Sequence, residues 1–146
     1  MAIDINWLAI LVTTIISVIL GTTWFGPLFG KVWIKIVTGK TMEECKNEMT
    51  AEQKKNMWKS YVLVIIGALI TNFVLLHSIV FGSAYLSMTG VASGLQAGFW
   101  NWLGFIAPAL LGSVLWENRP WKYWFIVAGY YLVLLLVNGM ILASWV

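Results

Sequence analysis

The sequence has very few charged residues and long stretches that contain none. Asp, Glu, Lys and Arg make up 10% of its 146 residues, whereas 60% are hydrophobic, and its mean hydropathy is +0.84. Such a chain lacks the polar side chains needed to cover a water-soluble domain of this size. The composition therefore predicts a chain solvated by lipid, and a water-soluble bundle with heavily buried helices is the minor alternative. Its ten tryptophans fit that prediction, because Trp favours the boundary between headgroups and acyl chains.

Cysteine and histidine are equally scarce. The single cysteine, Cys45, excludes an intrachain disulfide, and the single histidine, His77, has too few potential co-ligands for a zinc or di-iron site. The serines are scattered and no Gly-rich phosphate loop follows a strand, so neither a Ser-His-Asp triad nor a nucleotide site is predicted. We expect no catalytic residue, no metal and no cofactor. Aromatic walls between four short helices leave room for a lipid or quinone-like ligand as an alternative.

Four long apolar segments lie at about residues 6–25, 60–81, 91–116 and 123–145. Each has the length that crosses a hydrocarbon core of about 30 Å at about 1.5 Å per residue. The predicted fold is an all-α integral membrane four-helix bundle forming one domain over residues 1–146, with polar connections at about 31–56 and 117–122. In the first connection Thr41 and Thr50 precede Glu44 and Gln53 by three residues, which predicts two capped helix starts, the second continuing into the second span.

An aromatic corner punctuated by glycines and a proline follows the first apolar segment. Gly26 and Pro27 are predicted to end the first helix, and a short interfacial helix then carries Lys31 and Lys35 on one face. Lys31 and Lys35 are also candidate partners for Glu117. The residues of the corner are Trp24, Gly26, Pro27, Phe29, Gly30, Lys31 and Trp33.

Basic residues are confined to two places in the chain. All nine Lys and Arg lie between the first and second spans or between the third and fourth. By the positive-inside rule, both connections face the cytoplasm and both termini lie outside. The pI near 9.1 then indicates contact with anionic lipid headgroups, and nucleic acid is not an expected partner.

Strongly polar residues are rare within the spans. Asn72 and His77 lie about 140° apart around a helix and do not share a face; His77 is interpreted as an interfacial or hydrogen-bonded histidine, with a proton relay or metal role as the alternative. Glu117 and Arg119 should pair with other segments, either as a structural clamp or headgroup site, or in substrate handling. The candidate polar sites are Asn72, His77, Gln96, Asn101, Glu117, Arg119 and Asn138.

Two features of the third span concern helix packing. Gly94 and Gly98 form a small-xxx-small pattern, which suits close helix contact either within the chain or between subunits. Pro108 lies mid-span and frees the carbonyl of Gly104, which predicts a kink there.

Several motifs resemble one family of membrane proteins. They lie at residues 6–9, 21, 24–33, 104–105, 107–109, 117–120, 129–130, 139–142 and 145. Together they are similar to the bacterial integral-membrane proteins of domain-of-unknown-function family 1761, although Ala143 stands where a glycine is expected. The resemblance implies a small four-helix protein of the bacterial inner membrane, and it brings no established activity.

Four short helices with few intramembrane charges enclose little interior. We expect a structural or accessory membrane subunit, which self-associates or joins a larger complex. The alternative is a small-solute transporter or channel with a polar path through Asn72, Asn101 and Asn138, gated by Glu117 and Arg119. A membrane enzyme ranks third, because no nucleophile, base and orienting group fall together.

Overall fold

The computed structural model describes residues 5–145, and within that range it is helical, with no β-strand. Its elements are α1 (Trp7–Thr23), a first π turn (Trp24–Leu28), α2 (Gly30–Thr38), α3 (Met42–Glu48), α4 (Ala51–Leu86), α5 (Val91–Asn101), a second π turn (Trp102–Ile106), α6 (Ala107–Leu115) and α7 (Trp121–Ser144). Four continuous stretches are long and apolar enough to cross a membrane: Trp7–Leu28, Ala51–Leu86, Val91–Leu115 and Trp121–Ser144. The predicted all-α four-helix membrane fold is confirmed.

The last span, α7, is the central helix of the bundle. It packs against α1, α4, α5 and α6. The core lies toward one end, where Ile10, Leu76 and Leu142 of α1, α4 and α7 are almost completely buried. We call this the terminal end, because α1 begins and α7 ends there, and we call the opposite end, which holds the Lys and Arg residues, the basic end.

Glycines set the close contact between α5 and α7. A Cβ added to Gly94 would overlap the carbonyl of Gly139, and one added to Gly98 would lie 2.5 Å from the carbonyl oxygen of Leu135. Without side chains at these positions the two backbones touch and gain dispersion energy. The small-xxx-small pattern of Gly94 and Gly98 therefore packs within the chain.

Both intramembrane prolines are associated with π turns. The helix irregularity near Pro108 is the widened turn Trp102–Ile106, and α6 restarts at Ala107 with Pro108 in its first turn, where a missing N–H costs little. Pro27 lies inside the first π turn, so the prediction that Gly26 and Pro27 end the first helix is wrong. The helical path reaches Leu28, because a π turn accommodates the missing donor of proline.

The connection between the first two spans is mostly helical. Both predicted capping boxes are present: the Thr41 and Thr50 side chains accept from the backbone N–H groups of Glu44 and Gln53. The Thr50 box starts α4, which extends beyond the predicted span of 60–81 at both ends. Helices α2 and α3 fill most of the predicted loop at 31–56.

Candidate functional site

Three helices meet at a buried cluster of carboxamides and hydroxyls, the polar knot, formed by Thr14, Ser17, Asn72 and Asn138. Asn138 Nδ2 donates to Asn72 Oδ1 and to Ser17 Oγ, both at 2.8 Å. Asn72 Nδ2 donates to Thr14 Oγ1 at 3.3 Å and to Ser17 Oγ at 3.4 Å. Both asparagines are 0% exposed. The knot therefore ties α1, α4 and α7 together away from both water and lipid.

The hydroxyls of the knot are fully engaged. Thr14 and Ser17 donate to the carbonyls of Ile10 and Thr13, one turn earlier in α1, at 2.7 Å in both cases. Their lone pairs are then free to accept from the asparagines. Asn138 Oδ1 is buried and has no hydrogen-bond partner among residues 5–145. The four hydrogen bonds donated by the two asparagines all run between different helices, so the arrangement connects α1, α4 and α7.

Asn101, the third asparagine of the predicted polar path, lies outside the knot. Its Nδ2 donates at 2.8 Å to the carbonyl of Ala97, one turn earlier in α5. Its half-buried side chain lines a cleft between α4 and α5 that opens sideways from the bundle. The structure thus brings Asn72 and Asn138 together and separates both from Asn101.

The lateral cleft between α4 and α5 has two lobes that share Asn101. The lobe nearer the terminal end has a volume of about 200 Å³, and the other has a volume of about 230 Å³. The α4 wall carries small polar residues and glycine together with larger apolar ones: Ile70, Thr71, Val74, Leu75, Ser78, Gly82 and Leu86. The wall of α5 and its π turn carries Gln96, Trp100, Asn101 and Phe105. The cleft is therefore mainly apolar, with two carboxamides on one side.

His77 is engaged within its own helix. Its Nδ1 lies 2.8 Å from the carbonyl oxygen of Phe73, and the two ring centroids are 4.3 Å apart. Among residues 5–145 no three His, Cys, Asp and Glu side chains cluster as metal ligands would. The geometry of His77 fits the structural interpretation of this residue.

Three indole N–H groups bind backbone carbonyls around the basic half of α7. The bonds run from Trp24 to Ile126 (3.0 Å), from Trp102 to Ala128 (2.8 Å) and from Trp124 to Ala107 (3.0 Å). Trp24 and Trp102 are the first residues of the two π turns, so each turn is fixed to α7 by its leading side chain. Sequence reasoning missed Trp102 and Trp124. Their position within a predicted span indicates such a bond, because an indole N–H in hydrocarbon needs a hydrogen-bond acceptor.

Arg119 holds α2 across the basic end. Its Nη1 donates to the carbonyls of Ile36 and Val37, at 3.1 and 3.3 Å. These carbonyls belong to the last turn of α2 and have no acceptor role within that helix. The guanidinium also lies 5.8 Å from the centre of the Tyr123 ring. Helix α2 therefore runs from α1 to the connection before α7, and Arg119 acts as its clamp.

Aromatic rings pack the rest of the corner. Phe25 meets Trp33 edge-on with ring centroids 5.3 Å apart, and Trp24 lies 4.9 Å from Phe29. A Cβ on Gly30 would overlap the carbonyl of Phe25, which explains the glycine at this position. Gly26 has open space around it, and the Nε1 atom of Trp33 is buried with no partner among the described residues.

The predicted contact of Lys31 or Lys35 with Glu117 is wrong. Within residues 5–145 the one ion pair joins Lys40 and Glu48. Lys31 lies in the first turn of α2 and is exposed, as is Lys35. The end of α2 that reaches the other connection is its last turn, where Arg119 binds it, and Glu117 stays exposed.

The model of one protein family, described as protein of unknown function and numbered 1761, matches residues 8–143. The chain belongs to domain-of-unknown-function family 1761. The matched range contains the polar knot, the lateral cleft and the Arg119 clamp. No curated protein and no solved structure matches the chain. The membership of family 1761 indicated by the motifs is confirmed, and it assigns no activity.

Proposed function

We propose that this member of family 1761 is a structural or accessory membrane subunit that associates with further copies of itself. The observation that carries the proposal is the state of α4. Every residue from 57 to 67, about three helical turns, is exposed. A single chain thus leaves about a third of α4, 11 of its 36 residues, without a protein neighbour.

The interior of the bundle supports the same proposal. The carboxamides of Asn72 and Asn138 bond to each other and to α1. Three indole N–H groups and Arg119 donate to helix carbonyls. These polar groups therefore join helices within the chain, and the outer faces of the bundle are left for association.

A transporter or channel has less support. Its path would need Asn101 beside Asn72 and Asn138, whereas Asn101 lies in the lateral cleft. Its gate would need Glu117 and Arg119 together, whereas Arg119 is bonded to the backbone of α2.

The proposal includes a location and an orientation. We place the protein in a bacterial inner membrane, with both basic connections in the cytoplasm and both termini outside. The exposed Lys31 and Lys35 are then available to anionic headgroups along one face of α2.

The test is the mass of the particle purified in mild detergent, measured by light scattering and by native mass spectrometry. We expect a fixed number of copies per particle, with or without a second protein in constant ratio. A strictly monomeric particle with no bound protein at every detergent concentration overturns the proposal.

A further inference from the structure

We propose that the lateral cleft between α4 and α5 binds a neutral, single-chain amphiphile, a molecule with one uncharged polar head and one hydrocarbon chain. The head lies in the lobe nearer the terminal end, which we call the outer lobe, and the chain lies in the other, the inner lobe. The lobes have volumes of about 200 and 230 Å³ and meet at Asn101. The cleft belongs to a single chain, so the proposal does not depend on self-association.

The outer lobe is lined by four polar side chains that converge on it: Ser78, Ser93, Gln96 and Asn101. Ser93 is 6% exposed, and its hydroxyl donates to the Gly90 carbonyl at 2.8 Å. The hydroxyl of Ser78 donates in the same way to the Val74 carbonyl at 3.2 Å. Because both protons are used within the chain, both hydroxyl oxygens can accept a hydrogen bond from a ligand.

The two carboxamides add donors to the outer lobe. The Gln96 side chain is exposed and bonds to no described residue. Asn101 donates one N–H to the Ala97 carbonyl at 2.8 Å, and its second N–H and its Oδ1 form no bond within residues 5–145. A head group that both donates and accepts hydrogen bonds, such as a glycerol or an amide, is complementary to this set.

The inner lobe is almost entirely apolar. Its polar residues are Asn101, which it shares with the outer lobe, and Thr71, whose hydroxyl donates to the Gly67 carbonyl at 2.9 Å. The remaining lining residues are Ile70, Val74, Leu75, Phe105, Ile106 and Leu135. A hydrocarbon chain needs no hydrogen bond and is complementary to this lining.

Depth gives the direction of the ligand. Helix α5 begins at Val91, so Ser93 lies about 3 Å and Asn101 about 15 Å along its axis, in a hydrocarbon core about 30 Å thick. The polar lining therefore runs from the boundary at the terminal end to the middle of the core, and the apolar lining continues beyond it. A bilayer lipid at its usual depth would place its chain against the carboxamides and leave them unpaired.

The absence of charge makes the head neutral. No Asp, Glu, Lys or Arg occurs between residues 60 and 116 or between residues 123 and 146. A phosphate or carboxylate in the cleft would be buried without a cation, which costs several kcal/mol. The ligand reaches the cleft sideways from the bilayer, since the cleft opens in that direction.

The first arm of the test fills the outer lobe. Gly82 lines this lobe, and a Cβ added there meets nothing within 4 Å. Gly82→Leu should therefore keep the fold and occupy the space of the head group. Gly67→Leu is the matched control, because a Cβ on Gly67 also meets nothing within 4 Å and Gly67 lines neither lobe.

Native mass spectrometry after incubation with a monoacylglycerol reads the result. The wild-type and Gly67→Leu chains should each carry one bound molecule per chain, and the Gly82→Leu chain should carry none. Equal occupancy of all three chains overturns the proposal.

The second arm measures the chemistry of the head group. Asn101→Leu and Gln96→Leu should each raise the dissociation constant of the monoacylglycerol about 10-fold. Thr23→Leu is the control, because the Thr23 hydroxyl is exposed and bonds only within its own helix. A lysophosphatidylglycerol with the same chain should bind at least about 10-fold more weakly than the monoacylglycerol, since its phosphate finds no cation. Equal binding of the two lipids, or unchanged constants for both cleft variants, overturns the proposal.

The third arm tests the direction of the ligand. A monoacylglycerol with a photoreactive diazirine at the end of its chain should label residues 70–75 and 105–106, which line the inner lobe. Labelling spread evenly over the four spans means that the chain only adsorbs to the protein, and this result overturns the proposal.

A second copy of the chain is the other possible occupant of the cleft. If the wild-type chain carries no monoacylglycerol and Gly82→Leu converts an oligomer into a monomer, the cleft is a protein interface; this proposal is then overturned and the proposed function stands. If a strictly monomeric wild-type particle carries one molecule per chain, the site is supported and the proposed function fails.

Discussion

Helices α7 and α4 are nearly equal in apolar character and very different in how they are used. Their most apolar windows have mean hydropathies of 2.2 and 2.3, yet 44% of that window is buried in α7 and 22% in α4. Helix α7 is in contact with its neighbours along most of its length, through the indole bonds, the polar knot and the glycine contacts with α5. Along α4 the contacts begin only near Leu69.

This difference shows that hydropathy and packing are separate properties of a membrane span. Hydropathy measures transfer from water into lipid, which both helices satisfy. Lipid is as apolar as a leucine side chain, so helix association depends on close backbone approach and on hydrogen bonds. Helix α7 has both kinds of contact within the chain, and the basic half of α4 has neither.

The largest effect is expected at the crossing of α5 and α7. Gly94→Val drives a side chain into the Gly139 carbonyl and should lower the free energy of unfolding by about 3 kcal/mol. Gly67→Val on α4 is the control, since its Cβ meets nothing within 4 Å. Denaturation in mixed micelles measures both. Equal losses of stability for the two variants would contradict the conclusion that α7 is closely packed within the chain and the basic half of α4 is not.

Truncated leucines give a second comparison. Leu135→Ala in α7 should cost about 2 kcal/mol, because the side chain is 3% exposed and a cavity remains. Leu63→Ala in α4, where the side chain is 68% exposed, should change the stability of the monomer by less than about 0.5 kcal/mol. The same unfolding titration, run at dilutions that keep the chain monomeric, decides between them.

The polar knot should contribute less to the free energy of unfolding than the packing of Leu135. Asn138→Leu removes the bonds to Ser17 and Asn72 and should cost about 1 kcal/mol of monomer stability. Gln96→Leu, the matched carboxamide in the cleft, should cost the monomer nothing. A loss for Gln96→Leu as large as for Asn138→Leu would mean that the cleft carboxamide is also bonded within the chain.

The Arg119 clamp should have a local effect. Arg119→Gln leaves the Ile36 and Val37 carbonyls without their charged donor, so amides near residues 36–40 should exchange with deuterium about fivefold faster. The exchange rates in α7 should not change. Lys122→Gln, which removes a neighbouring charge, is the control. An exchange pattern identical for both variants would count against the clamp.

The smallest expected effect is a difference in acid sensitivity between the capped starts of α3 and α4. The backbone N–H and hydroxyl of Thr41 bond the Glu44 carboxylate and lower its pKa below the ordinary value of 4.5. Because the folded pKa is depressed, the stabilisation is present above that value and is lost as the pH falls through the folded pKa. The protection of the first amides of α3, taken relative to their intrinsic exchange rates at each pH, should therefore fall in acid.

The matched control for that experiment lies in the chain itself. Helix α4 starts with the same box built on Gln53, which does not titrate, and has one acid, Glu52, in its first turn where α3 has Glu43 and Glu44. Its first turn should therefore respond less to acid than that of α3. Glu44→Gln should reduce the pH dependence of α3 to that of α4. Fraying of both helix starts together at low pH would point to a cause other than Glu44.

Local sequence patterns predicted the spans, the two capping boxes and the continuation of the Thr50 helix into the membrane. Each depends on residues a few positions apart, so one chain is enough to read it. The pairing of Asn72 with Asn138 depends instead on how helices cross, and their partners lie 66 residues apart. No local sequence pattern gives the angle at which two helices cross. Sequence reasoning therefore assigns Asn101 to the same polar path as Asn72 and Asn138.

The corner was harder to predict for a different reason. Charge complementarity favoured Lys31 with Glu117, but exposed ion pairs gain little. The carbonyls at the end of α2 lack partners, and satisfying them with Arg119 gains more. The π turns were also missed, since nothing in the sequence near Pro27 or Pro108 distinguishes a widened turn from an ordinary break.

The position of Asn138 in the final span has a consequence for biosynthesis. As the chain leaves the ribosome, α1 and α4 enter the membrane first, and Asn72 then has only the longer bonds to Thr14 and Ser17. The two 2.8 Å bonds of the knot form only when α7 arrives. The three indole bonds also require α7, because each has one partner in that helix. The contacts that join the earlier spans through α7 therefore form last.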